Sequence, residues 1–195
     1  MTPENFSAYL EQNFNFKPTE SQKLWFPAIS EFLFSKEPNT VFLLKGYAGT
    51  GKTTLISSLV RGISRTGFKI IQMAPTGRAA KVMASYSKIN ARTIHKQIYY
   101  PKAEKGGSMT FKLKPNKYKN TLFVIDEASM IGDDRQQQRL FENGSLIHDV
   151  IQYISQGTNC KLLFVGDQAQ LPPVHLELSP ALDEQELQQF HFNRV

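Results

Sequence analysis

The chain has 195 residues, of which 41% are hydrophobic, with a formal net charge of +6 and a single cysteine. This length is enough for one α/β core with a small inserted element, and two full domains are not expected. One cysteine excludes an internal disulfide and a cysteine-based metal site, which predicts a reducing, cytoplasmic setting. The positive charge suits a polyanionic partner, although it fits a soluble protein with a basic face equally well.

Membrane-spanning and targeting segments are not evident in the sequence. No apolar run approaches the roughly 18 residues that are needed to cross a bilayer. The first residues, from Met1 to Asn5, do not combine a basic region with an apolar one. The protein is therefore expected to be soluble and untargeted.

Two helices are predicted before the first strand. An amphipathic helix is predicted from about residue 4 to residue 13, and a second begins after Thr19, whose side chain suits the N-cap position. Pro27 falls early in the second helix, where a proline is expected to kink it. Gln22 has an amide that could form paired hydrogen bonds with an adenine edge. The residues alone favour a merely solvated glutamine at this position.

Residues 46–54 fit the phosphate-binding pattern G-x-x-x-x-G-K-[ST] at every position. A buried strand is predicted before the loop, at residues 40–44, and a helix after it, so the helix N-terminus points at the phosphates. In such a loop Lys52 reaches the β- and γ-phosphates and the Thr53 hydroxyl binds Mg²⁺. We therefore predict a nucleoside triphosphate site. Its predicted binding residues are Gly46, Ala48, Gly49, Thr50, Gly51, Lys52, Thr53 and Thr54.

A second strand, at residues 69–74, is followed by a turn into a helix. The turn places Thr76 and Arg78 at the carboxyl end of the sheet, where open α/β sheets bind ligands. Hydroxyl and basic groups there suit contacts with a phosphate backbone, and a capped helix with solvated charges explains them equally well. Thr93 and His95 follow. His95 has no acidic residue, cysteine or second histidine at ligand spacing, so it is not expected to bind a metal.

Residues 96–120 differ in composition from the rest of the chain, with many lysines, interleaved aromatic residues and a glycine pair. Residues 109–114 alternate as an exposed strand does, so an inserted β-hairpin that turns near Gly106 and Gly107 is predicted. Bases of single-stranded nucleic acid stack on aromatic faces, and Phe111 is predicted to present such a face. A flexible basic loop is the alternative interpretation.

The next predicted strand, at residues 121–125, leads into two adjacent acids, Asp126 and Glu127. An acid at the end of a hydrophobic strand is the Walker B arrangement, in which Asp126 holds the Mg²⁺ shell and Glu127 polarises the attacking water. Two adjacent carboxylates therefore point to hydrolysis. Asp133 and Asp134 are better explained as exposed or capping residues.

A further strand, at residues 161–165, ends in a second polar cluster at the same edge of the sheet. Gln170 is a candidate sensor of the γ-phosphate, and Asp167 is a candidate for orienting neighbouring groups. Between the two acidic strand ends, residues 140–154 are predicted to be helical with an interruption near residues 143–144.

Taken in chain order, these segments resemble the first RecA-like domain of superfamily 1B DNA helicases, the RecD-like and Dda-like group. The resemblance covers nearly the whole chain as a single domain, with residues 96–120 as a small inserted element that carries a strand-separating pin. The family's motifs Q, I, Ia, Ib, II and III are matched in order by residues 19–22, 46–54, 74–82, 93–95, 126–130 and 165–174.

The resemblance implies a RecA-like P-loop fold with ATP and Mg²⁺ as cofactors. It implies adenine contact by Gln22, Mg²⁺ contact by Thr53 and Asp126, water activation by Glu127 and γ-phosphate sensing by Gln170. Lys52, Glu127 and Gln170 are then the candidate catalytic residues.

The resemblance also implies a nucleic-acid partner and 5′ to 3′ translocation. Single-stranded DNA contacts are implied around Thr76, Arg78, Thr93 and His95, with Phe111 at the junction of single and double strands. A second RecA-like domain supplies an arginine to the ATP site in this family. This sequence stops soon after motif III, so it looks like the front half of a helicase, and by itself it is expected to bind ATP but hydrolyse it poorly.

Two other functional classes fit part of the pattern. A small P-loop kinase would be complete at this length, but it needs an arginine-bearing lid, and no arginine cluster follows the acid pair. A non-hydrolysing, ATP-dependent DNA-binding module is the third class. The effect of single-stranded DNA or of a small nucleoside on ATP turnover separates these classes.

Overall fold

The computed structural model describes residues 1–37, 40–103, 109–132, 145–167, 169–170, 178–189 and 193–194. Its helices are α1 Pro3–Gln12, α2 Glu20–Phe34, α3 Lys52–Gly62, α4 Gly77–Ser87, α5 Ile94–Ile98, α6 Leu146–Ser155 and α7 Glu184–Gln189. Its strands are β1 Thr40–Lys45, β2 Lys69–Ala74, β3 Ala91–Thr93, β4 Tyr99–Ala103, β5 Met109–Leu113, β6 Lys119–Ile125, β7 Thr158–Gly166 and β8 Asn193–Arg194.

Six of these strands form one parallel sheet in the order β3-β2-β6-β7-β1-β8, to which β8 contributes two residues. Strands β4 and β5 form a separate antiparallel pair. Because the strands of the main sheet are parallel, their carboxyl ends meet at a single edge. The predicted α/β class, a mainly parallel sheet flanked by helices with a small β-hairpin, is confirmed.

Both faces of the sheet are buried, which explains why its central strands are continuously hydrophobic. Along β6, Leu122 and Val124 enter a cluster formed with helices α1 to α4, while Phe123 and Ile125 enter a cluster formed with α5, α6 and the hairpin. Each fully buried side chain of this size stabilises the fold by about 1.5–3 kcal/mol. The sheet edge that carries the polar motifs therefore rests on a core packed from two sides.

The helices begin where the sequence supplies side-chain caps. In α2 the Thr19 hydroxyl accepts a hydrogen bond from the Gln22 N–H, and the Gln22 amide oxygen accepts one from the Thr19 N–H. Such a cap is worth about 1 kcal/mol. The helix continues through Pro27 to Phe34. The two N-terminal helices are thus confirmed close to their predicted bounds.

Several predictions fall on residues that the structure does not describe. The hairpin turn at Gly106 and Gly107 and the acids Asp133 and Asp134 lie outside the described residues, as do residues 140–144 of the predicted helix. The described part of that helix is α6, in which the Ser145 hydroxyl accepts a hydrogen bond from the His148 N–H. Among the residues that are described, none of the helices has the length and apolar character of a membrane span.

Candidate nucleotide site

The loop between β1 and α3 has the backbone shape of a phosphate-binding loop. Gly49 and Gly51 have φ values of +78° and +87°, a region that side-chain-bearing residues rarely adopt. A Cβ on Gly46 would lie 2.8 Å from the Thr50 hydroxyl oxygen. The loop delivers the chain into the N-terminus of α3, where backbone N–H groups favour an anion.

Lys52 lies folded over this loop. Its ammonium donates hydrogen bonds to the carbonyl oxygens of Gly46, at 2.6 Å, and Tyr47, at 2.8 Å, and it lies 3.9 Å from Asp167 Oδ2. Carbonyl oxygens are weaker partners for an ammonium than phosphate oxygens. An anion in the loop would therefore be the better partner for this side chain.

Asp126 stands at the carboxyl end of β6, and three hydrogen bonds hold it. Its N–H donates to the Met73 carbonyl at 3.0 Å, its Oδ1 accepts from the Glu127 N–H at 2.9 Å, and its Oδ2 accepts from the Tyr86 hydroxyl at 2.5 Å. Burial and the adjacent Asp126 raise the pKa of Tyr86 far above its usual value. The phenol consequently keeps its proton at neutral pH and acts as a donor.

Glu127 has a left-handed backbone conformation, with φ at +55°. A residue other than glycine in this region carries strain of about 1–3 kcal/mol, and such strain clusters at functional sites. The conformation turns the chain sharply out of β6 into a 3₁₀ turn, Ala128–Met130. Glu127 therefore lies at the same sheet edge as Asp126, at the point where the chain changes direction.

The ends of β6 and β7 are connected by side chains. Ser129, in the 3₁₀ turn, donates a hydrogen bond to the amide oxygen of Gln170 at 2.7 Å. Asp167 is 5% exposed, and its Oδ1 accepts from the Ala169 N–H at 2.8 Å. Since β6, β7 and β1 are neighbours in the sheet, the fold brings Gln170, Asp167 and Lys52 to one edge.

Gln22 reaches the phosphate-binding loop from α2. Besides capping Thr19, its side-chain amide donates to the Thr50 carbonyl at 2.9 Å. A Cβ on Gly51 would lie 2.5 Å from the Gln22 amide nitrogen. The merely solvated glutamine favoured by the residues alone is therefore wrong, because both ends of this amide are bonded.

The donor set at this edge fits Mg²⁺ held together with a nucleotide. Asp126 offers a carboxylate and Thr53 a hydroxyl, and Mg²⁺ takes oxygen ligands, typically one or two carboxylates plus substrate phosphates. Within the described part of the chain no group of three His, Cys, Asp or Glu side chains could hold a metal ion. One carboxylate and one hydroxyl suit a cation that brings phosphate oxygens of its own.

The residues expected to contact DNA lie at the ends of β2 and β3. The Thr76 hydroxyl accepts from the Ala79 N–H at 3.1 Å and the Thr93 hydroxyl from the Lys96 N–H at 3.2 Å, so both cap helices. Arg78, in the first turn of α4, is exposed. Burial lowers the pKa of His95, which keeps its imidazole neutral near pH 7.

Phe111, which is predicted to present an aromatic face to nucleic acid, packs against neighbouring rings in the structure, and its contact with DNA stays a prediction. Its side chain is half-buried, and its ring centroid lies 5.7 Å from that of His95 and 5.5 Å from that of Tyr99. Tyr100 is instead 54% exposed, with the Lys114 ammonium 5.2 Å from its ring centroid. Side chains alternate along β5 as predicted. The face that carries Phe111 and Leu113 packs against the core.

Two polar residues in contact with the site were not found from sequence. Tyr86 lies outside every motif, and only its position on the sheet-facing side of α4, three residues after the buried Met83, marks it. Ser129 lies within the motif that contains the acid pair, but no spacing rule gave it a role. Both bond to residues about 40 positions away.

Comparison with known proteins finds a matching family profile and several similar helicases. A family profile described as an AAA domain matches residues 28–177. The ATP-dependent RecD2 DNA helicase of Deinococcus radiodurans is 30% identical over 135 residues, which cover 68% of this chain and 16% of that protein. The ATP-dependent DNA helicase Dda of phage T4 is 30% identical over 159 residues, or 80% of this chain and 33% of that protein.

A third relative is subunit RecD of the RecBCD enzyme from Buchnera aphidicola, 28% identical over 156 residues that cover 70% of this chain and 23% of the subunit. The chain spans about a third or less of the length of each of these relatives. The matched AAA profile covers most of the chain, including the phosphate-binding loop and both acidic strand ends. The chain belongs to this family, as a RecD/Dda-like N-terminal domain of superfamily 1B DNA helicases.

Proposed function

We propose that this chain is the ATP- and Mg²⁺-binding part of an ATP-dependent, 5′ to 3′ DNA helicase and that it also contacts single-stranded DNA. The observation that carries the proposal is the pair formed by Lys52 and Asp167, 3.9 Å apart after β1 and β7, next to the neighbouring strand β6 that ends in Asp126. A flexible cation, a fixed carboxylate and a glycine loop at a helix N-terminus are the parts that P-loop proteins use to bind a triphosphate.

Each residue of the site has a separate role in this proposal. Lys52 exchanges its bonds with the loop carbonyls for the β- and γ-phosphates, and Gln22 contacts the adenine edge. Thr53 and Asp126 hold Mg²⁺, which neutralises charge on the phosphate oxygens. Glu127 orients the attacking water. Gln170 senses the γ-phosphate and passes its presence to the 3₁₀ turn through Ser129.

The catalytic cleft is completed by a second RecA-like domain in this proposal. The chain covers 33% or less of the length of the RecD2 and Dda helicases, so the rest of each of those proteins is long enough to contain such a domain. Arginine fingers stabilise the charge that develops on the transferred phosphoryl group. This chain alone would then bind ATP but hydrolyse it slowly.

The single strand is proposed to run along the ends of β2 and β3, past Thr76, Arg78, Thr93 and His95, and to reach the hairpin. There Tyr100 offers the exposed ring, and Phe111 supports the hairpin from the side of the core. The adjacent Lys112 is exposed and offers a charge to the backbone phosphates.

One experiment separates this proposal from a kinase. ATP turnover is measured with single-stranded DNA or with a panel of nucleosides, for the chain alone and joined to a second RecA-like domain. Stimulation by DNA in the joined protein supports the helicase proposal. Transfer of phosphate to a nucleoside would favour a kinase, and DNA binding without any turnover in the joined protein would favour a non-hydrolysing module.

Replacing Tyr100 by alanine is expected to weaken binding of single-stranded DNA. A base stacked on an aromatic ring contributes about 1–3 kcal/mol, which corresponds to a loss of about 5–150-fold in affinity. Fluorescence anisotropy with a labelled oligonucleotide measures this loss. The matched variant Phe111→Ala should chiefly lower the melting temperature, because it removes packing. Equal DNA affinity of the wild type and Tyr100→Ala would contradict a stacking role.

Replacing Lys112 by glutamine is expected to flatten the salt dependence of DNA binding. Loss of one phosphate contact reduces the slope of log K against log salt by about 0.7 for a single strand, whatever its sequence. The control is Lys69→Gln, an exposed lysine at the amino end of β2, on the opposite edge of the sheet. Identical slopes for the two variants would count against DNA contact by this hairpin.

A further inference from the structure

Tyr86 contacts the candidate nucleotide site through Asp126 and is not itself one of the proposed binding residues. It stands in the last turn of α4, and its hydroxyl donates to Asp126 Oδ2 at 2.5 Å. A carboxylate can only accept, so the phenol is the donor in this pair. The bond joins the end of a helix to the end of a strand 40 residues later in the chain.

The bond completes the fixation of the Asp126 carboxylate. Its second oxygen, Oδ1, already accepts the Glu127 N–H at 2.9 Å. One donor on each oxygen stops rotation of the carboxylate plane. An ionised carboxylate offers about four acceptor positions, so about two remain for a cation or for the water bound to it.

The backbone of Tyr86 also lies close to α3, the helix that follows the phosphate-binding loop. Its carbonyl oxygen lies 3.5 Å from the Ser57 hydroxyl oxygen of α3. The same hydroxyl donates to the Thr53 carbonyl at 2.8 Å. Tyr86 therefore bonds to Asp126 directly and lies beside the first turns of α3, which contain Thr53, the other residue to which the Mg²⁺ role is given.

We propose that Tyr86 is a positioning residue that directs the Asp126 carboxylate towards the Mg²⁺ of the bound nucleotide. The inference rests on the proposed function, because the cation is the one that accompanies ATP. Carboxylates that bind a metal are oriented by hydrogen bonds from residues outside the ligand set, and losing such a bond weakens metal affinity or activity about 10–100-fold. The phenol of Tyr86 supplies that bond here.

The test compares ATP binding by the 195-residue chain in EDTA and in saturating Mg²⁺. The ratio of the two dissociation constants is called the metal gain. We expect Tyr86→Phe to reduce the metal gain about 10-fold and to leave the dissociation constant in EDTA unchanged. Binding of metal-free ATP also reports that the variant is folded.

Two further variants separate positioning from structure. In an Asp126→Asn background, Tyr86→Phe should cause no additional loss of metal gain, because the carboxylate that it orients is gone. The control Tyr118→Phe removes a phenol that is bonded to Gln97 instead, and it should keep the wild-type metal gain.

Three results would overturn the inference: a wild-type metal gain in Tyr86→Phe, equal weakening in EDTA and in Mg²⁺, or the same further loss in the Asp126→Asn background. These leave the proposed function standing if Asp126→Asn alone lowers the gain. If the wild type shows no metal gain, or Asp126→Asn keeps it, the proposed Mg²⁺ site fails and the role of Tyr86 fails with it.

Discussion

Joining this domain to a second RecA-like domain will raise its ATP turnover by about 10³–10⁵-fold, the range that a stabilising arginine supplied from outside contributes to phosphoryl transfer. The physical reason lies in the composition of the site. In the proposed site Lys52 and a Mg²⁺ bound by Asp126 would neutralise charge on one side of the phosphates, while among the described residues no arginine directly follows β1, β6 or β7. The measurement is steady-state phosphate release at saturating ATP, with and without single-stranded DNA.

The control for this experiment is Glu127→Gln in both proteins. The substitution keeps the size of the side chain but removes the carboxylate that would orient water, so it should abolish the turnover of the joined protein. Any activity that survives comes from a contaminating ATPase. Rapid, DNA-stimulated hydrolysis by the chain alone, lost in Glu127→Gln, would contradict the requirement for a second domain.

Replacing Lys52 by alanine will remove most of the ATP·Mg²⁺ affinity without unfolding the domain. The ammonium is the flexible cation of the loop, and its present partners, the carbonyls of Gly46 and Tyr47, lie in partly or fully exposed backbone that water can solvate. The variant should therefore fold while the phosphates lose their charge partner.

A thermal shift measures this loss. ATP at 100 times its dissociation constant stabilises the wild type by about 2.7 kcal/mol, which for a domain of this size raises the melting temperature by about 5–10 °C. Lys52→Ala should show little or no shift at the same ATP concentration, and the control Lys69→Ala, at the opposite edge of the sheet, should show the wild-type shift. An undiminished shift in Lys52→Ala would rule out its assignment to the phosphates.

The sequence by itself determined the local elements of this protein and the chemistry at their ends. Strand β2 has the predicted bounds, Lys69–Ala74, because a short apolar run between a glycine turn and a proline is fixed by neighbouring residues. The start of α2 follows from the cap that Thr19 provides. The glycine loop and the acid pair are each an unbroken run of residues. Each motif can therefore be recognised in the sequence without knowing which elements pack around it.

Only the tertiary structure decided which of these elements meet. Strand β7 pairs with β6 on one side and β1 on the other, and parallel pairing between strands far apart in sequence leaves no local signal. The contact of Gln22 with Thr50 and that of Tyr86 with Asp126 follow from this arrangement.

The position of Phe111 was decided in the same way. Alternation along β5 shows that Phe111 and Leu113 share a face, but it does not show which face is covered. The covering residues, His95 and Tyr99, lie elsewhere in the chain. Burial depends on what packs against a strand, and that is a property of the assembled fold.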